Sequence, residues 1–107
     1  MISELIMCAL TALAIAGQFL DTHTTQVGLA AGNTEVNAVT KWLISKIGVA
    51  GLYPLKCAVL PLGLVVLFAS VFGATEACIV EGLVAGAGLY AGIHNYRILK
   101  AQKISVF

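Results

Sequence analysis

Three apolar stretches dominate this chain, and each is long enough to cross a lipid bilayer. They run from Leu5 to Leu20, with helical character continuing towards Ala31, from Val49 to Phe72, and from Glu76 to about Tyr96. A helical span needs about 20 residues, at about 1.5 Å each, to cover roughly 30 Å of hydrocarbon. Charged residues make up 10% of the 107 positions, against roughly 25% in an ordinary soluble domain, so little is left to cover a water-facing surface. A mean hydropathy of +0.99 points the same way. The expected fold is all-α: one polytopic transmembrane helical bundle over residues 1–107, with three spans and a short amphipathic helix at the interface.

Several classes are excluded early. A net charge of +1, with the basic residues scattered, gives no footprint for nucleic acid. Cys8, Cys57 and Cys78 are odd in number, far apart and set in apolar sequence, so they indicate neither a disulfide framework nor a zinc site. They read as small apolar residues of helices. Ala14-Ile15-Ala16 resembles a signal-peptide cleavage site, but the residues before the first apolar run include Glu4 and no Lys or Arg. The first segment is expected to be a retained membrane helix.

The expected spans are about 5–29, 49–72 and 76–98, with the interfacial helix at about 38–47. Gly32 suits a left-handed helix stop, and Asn33, Thr34 and Asn37 can each cap the next helix. Glu35 completes this polar loop. Val39, Trp42, Leu43 and Ile47 recur at helical spacing opposite Lys41, Ser45 and Lys46, with Trp42 suited to headgroup level. Pro54 and Pro61 lie seven residues apart and predict a kinked second span, whose freed carbonyls neighbouring helices can satisfy. Thr75 is the expected N-cap of the last span, with Glu76 in its first turn. Lys41, Lys46, Arg97, Lys100 and Lys103 fall on one side of a three-span chain. The positive-inside rule assigns that side to the cytoplasm, so the N-terminus is out and the C-terminus in.

The stretch from Gln18 to Gln26 breaks the apolar pattern. Gln18, Asp21, Thr25, Gly28 and Gly32 share one face of the first helix, at spacings of three or four residues. Asp21 lies some 24 Å along the span, near the cytoplasmic boundary. Lys56, roughly 10 Å into the second span from that same side, falls at a similar depth, and His94 and Asn95 join the layer from the third. Asp21, Lys56 and Asn95 are therefore expected to form a polar cluster with Thr25 assisting, because an unpaired charge in hydrocarbon is costly. The competing reading lets Lys56 snorkel to the interface and leaves Asp21 wet. No metal site is expected: Asp21, His23, Glu35 and His94 lack HxxxH or ExxH spacing. A proton relay through Asp21, Glu81 and His94 has no chain of acids across the bilayer to support it.

The third span offers a packing signal. Glu81, Ala85, Gly88, Gly92 and Asn95 recur at intervals of 4, 3, 4 and 3, a heptad seam of small residues with polar ends. Gly82 and Gly86 form a GxxxG beside it. Small residues at these steps let membrane helices approach closely, within this chain or between copies.

Asp21-Thr-His-Thr-Thr25, Gly32, Glu35-Val-Asn37, Lys56 and Asn95 resemble a family of small uncharacterised three-span prokaryotic membrane proteins. That family carries an Asp followed by Thr in its first span, then Gly-x-x-Glu-x-Asn-Pro, a Lys in the second span and an Asn late in the third. Here Ala38 stands in place of the Pro. The resemblance implies that these polar positions belong together and carries no activity with it.

No GxSxG, HExxH or phosphate-binding glycine loop occurs, and no enzyme or cofactor is expected. The leading expectation is a non-enzymatic protein of the prokaryotic inner membrane. It would act through helix packing, in its own oligomer or with other membrane subunits, with the lipid bilayer as its surroundings. A holin-like pore former is the alternative, on size, span number and basic tail. A small ion-coupled transporter ranks third, because the polar groups sit near one boundary and not at the midplane.

Overall fold

A computed structural model describes residues 2–34 and 37–107, and those residues are helical almost throughout. Helix α1 spans Ile2–Ala30 and α2 spans Ala38–Pro54. A π-helical turn over Leu55–Val59 then leads into α3, Leu60–Val71, and α4 comes last, over Ala74–Ala101. Three helical runs, Ile2–Ala30, Ala38–Val71 and Ala74–Ala101, are long and apolar enough to cross a membrane. The molecule measures 45 × 28 × 19 Å, and its long dimension matches the roughly 40–45 Å of a bilayer with its headgroups.

Local chemistry accounts for the helix ends. Gly32 adopts φ +96°, and the Asn33 N–H bonds back to the Gly28 carbonyl at 2.9 Å, closing α1 with a left-handed turn. Asn37 caps α2, its side-chain oxygen accepting from the N–H groups of Val39 and Thr40. Thr75 does not cap α4. Gly73, at φ +129°, holds that position with no side-chain cap, because a left-handed turn there brings the helix in before Thr75 is reached.

Two features interrupt the second run. Gly48, at φ 74° and ψ 166°, kinks α2 after residue 47. The expected interfacial helix at 38–47 is nonetheless not set apart as an element of its own: it is continuous with the second run, Ala38–Val71. Further on, the two prolines give a π turn. Pro61 has no N–H to offer and its ring cannot pack against the carbonyl four residues back. The Leu60 N–H reaches instead to the Leu55 carbonyl, five residues back, and the turn widens by one residue.

Helices α1 and α4 run parallel and form the core. Ala85 and Gly88 meet Gly17 and Gln18, Gly92 meets Leu20 and Asp21, and Leu99 meets Gly28. A Cβ on Gly88 would lie 2.6 Å from the Gly17 carbonyl carbon, and one on Gly92 would lie 2.7 Å from Leu20 Cγ. The two backbones come together only because these positions carry no side chain. The small-residue seam is thus occupied within the chain at Ala85, Gly88 and Gly92. Gly82 and Gly86 are different: a Cβ at either meets nothing within 4 Å. α3 and the π turn lie against α4 and α1 and complete a three-run bundle.

Candidate functional site: a polar cluster at one end of the bundle

Burial inverts the usual pattern of a protein in water. Gln18, Thr22, Thr24 and Glu81 are buried, while Leu13, Val66, Leu67, Leu83 and Tyr90 stand exposed. The polar groups concentrate where the C-terminal halves of α1 and α4 meet the π turn.

Lys56, carried on the π turn, places its Nζ 2.5 Å from Asp21 Oδ2, with only 17% and 16% of the two side chains exposed. Asn95 on α4 donates one amide proton to Asp21 Oδ1 and the other to Thr24 Oγ1, both at 3.3 Å. Thr24 in turn donates its hydroxyl to the Leu20 carbonyl at 2.8 Å. One carboxylate therefore ties all three runs together: its own on α1, Lys56 from the second and Asn95 from the third. The expected assistant, Thr25, makes none of these bonds. A helix turns about 100° per residue, so Thr24 points into the α1–α4 contact and Thr25 to its rim.

That rim is a cleft. One part, about 320 Å³, is lined by Thr24, Thr25, Asn33, His94, Asn95 and Gln102 among others. A second part of about 180 Å³ is bounded by Asp21, Thr25, Asn37, Thr40, Lys56 and His94. The cleft is open, which gives the ion pair a route to solvent and a reason to be tolerated. Asn33 does not cap α2; it exchanges two hydrogen bonds with Gln102, at 2.9 and 3.3 Å, and pins the ends of α1 and α4 together. Glu35, expected in the same loop, lies outside the described residues.

A second polar group sits beside the first, and the sequence pattern does not announce it. His23 donates from Nε2 to the Val106 carbonyl at 2.7 Å, and its ring is sandwiched between Phe19 and Phe107. The Tyr53 hydroxyl lies 3.3 Å from His23 Nδ1 and donates to Gln26 Oε1. The segment after α4, expected to be a basic tail, turns back at Lys103, φ 59°, and buries Val106 against α1. Its sequence, Ile104-Ser-Val-Phe107, is apolar but for Ser105, a signal short enough to pass for the end of the last helix.

Among the described residues no three His, Cys, Asp or Glu side chains gather as metal ligands. What the cluster can do chemically is hold a charge pair and offer donors and acceptors to a small polar occupant of the cleft. The model of a family described as a domain of unknown function, DUF5658, matches residues 11–100, a stretch that includes the entire Asp21–Lys56–Asn95 cluster. No curated protein and no solved structure matches the chain.

Proposed function

From the premise that the chain belongs to the DUF5658 family, we propose that it is a non-enzymatic, multi-pass protein of a prokaryotic inner membrane that acts by helix packing within its own oligomer. One observation carries this reading: polar side chains turn inward while large apolar ones stand outward, which suits a surface solvated by lipid. Helix packing between copies is supported by Gly82 and Gly86, whose open side leaves room for the backbone of another helix, with Leu83 and Ile79 exposed alongside. The N-terminus lies outside and the basic C-terminal end inside, with residues 38–47 along the inner interface and Trp42 at headgroup level.

The polar face of α1 is occupied by α4 and Lys56 within the chain, which leaves little of it to line a pore and argues against the holin-like alternative. Native mass measurement of the detergent-extracted protein tests the proposal. The wild type should run as a multiple of 11.1 kDa, and Gly82→Ile with Gly86→Ile should reduce it to one copy. A wild-type monomer overturns the reading, as would dye leakage from cells expressing the chain.

A further inference from the structure

Among the described residues, Glu81 is the most deeply buried ionisable group outside the cluster, at 0% exposure between the N-terminal halves of α1 and α4. Neither of its carboxyl oxygens has a hydrogen-bond partner among the described residues. The polar side chain facing it is Thr11, and the single hydroxyl proton of Thr11 is committed to the Met7 carbonyl at 2.8 Å. Thr11 Oγ1 can therefore accept from Glu81 but not donate to it.

No basic side chain is available either. The sequence holds no Lys or Arg before Lys41 or between Cys57 and Tyr96, and Lys56 is engaged by Asp21 ten residues further along α1. On α4, Glu76 is exposed and Cys78 lies about a turn before Glu81; on α1, Cys8 is exposed and Glu4 lies nearer the helix start; α3 contains no titratable residue. Neither part of the cleft reaches Glu81. A carboxylate with two acceptor oxygens would face an acceptor and apolar walls, whereas the acid form turns the same contact into a donor–acceptor chain.

We propose that Glu81 is a proton-binding site in the α1–α4 contact, holding its proton in the folded protein and donating it to Thr11 Oγ1, which passes a hydrogen bond on to the Met7 carbonyl. Glu81 then donates to Thr11 and Thr11 to the Met7 carbonyl, which ends the chain as acceptor, with every proton accounted for. This depends on the contact between two helices of one chain and not on how many copies assemble.

Infrared spectroscopy of the full chain in lipid vesicles, with isotope-labelled glutamate carboxyls, is the test. It is run above about pH 5, where a solvated glutamate is ionised. A carboxylic-acid C=O band should persist at neutral pH, vanish in Glu81→Gln and shift in Thr11→Val, which removes the acceptor. Carboxylate bands alone at neutral pH would overturn the assignment, as would an acid band that Glu81→Gln leaves in place. Glu81→Gln should also fold as the wild type does, since a neutral side chain of that shape fits; its failure to fold would count against the proposal, and the Thr11→Val shift still reads out independently.

Discussion

At the scale of the residue, the cluster separates side chains that differ by one position. Asp21 and Lys56 are mostly but not wholly buried, so breaking the pair should cost more than the ~0–1 kcal/mol of a surface pair and less than the ~3–5 kcal/mol of a fully buried one. Asp21→Ala and Lys56→Ala are each expected to destabilise by about 2 kcal/mol in detergent unfolding. The double variant should lose clearly less than their sum, because neither single variant's stranded charge remains in it. Strictly additive losses would mean the two groups do not interact. Thr24→Val removes the acceptor for Asn95 and should cost about 1 kcal/mol, while Thr25→Val, on the rim, should be close to neutral in the same assay. The depth of Asp21, Lys56 and Asn95 could be counted off in helical rises from the sequence. The choice between Thr24 and Thr25 could not, since adjacent hydroxyls differ only by a helix rotation that the packing of α4 decides.

At the scale of the element, close approach and kinking make opposite demands on neighbouring glycines and prolines. Gly88→Ala and Gly92→Ala drive a Cβ into α1 backbone or Leu20 and should destabilise by about 1–3 kcal/mol, the usual cost of overpacking. Gly82→Ala and Gly86→Ala meet nothing within the chain and should leave the unfolding of the single, dissociated chain unchanged or improve it slightly. Equal losses at all four positions would contradict a seam that α1 occupies on one side only. The heptad of small residues was legible as a string. Which of the two GxxxG pairs, Gly82 with Gly86 or Gly88 with Gly92, α1 would take was not, because both satisfy the spacing. Pro61 is a second case: the sequence implied a kink, yet the widened turn that aims Lys56 depends on which carbonyl the Leu60 N–H selects. Pro61→Ala should let that turn revert to α-helix and rotate Lys56 away. The measurable result is loss of the Asp21–Lys56 coupling energy while the Gly88→Ala cost persists.

At the scale of the whole molecule, the ends of the three runs sort by charge. Lys41, Lys46, Arg97, Lys100 and Lys103 gather at the end where α1 and α4 finish and α2 begins, while the opposite end, with Glu4 and Glu76, carries no Lys or Arg. Lys and Arg flanking short loops resist translocation, and acids contribute little to that bias. The asymmetry should therefore fix one orientation, with the polar cluster and its cleft opening to the cytoplasm. In a cysteine-free background, Ser3→Cys and Thr75→Cys, both exposed, should react in intact cells with a thiol reagent that cannot cross the membrane. Ser45→Cys, exposed at the other end, should react only after permeabilisation. The reverse pattern would invert the molecule, and labelling at all three positions would mean two orientations coexist. Adding lysines around Ser3 should then weaken the preference in proportion to the charge added, because the bias is a difference between two ends and not a property of either. The same experiment fixes which compartment the cleft faces: the end that Ser45→Cys reports is the end on which Asp21, Lys56 and Asn95 open.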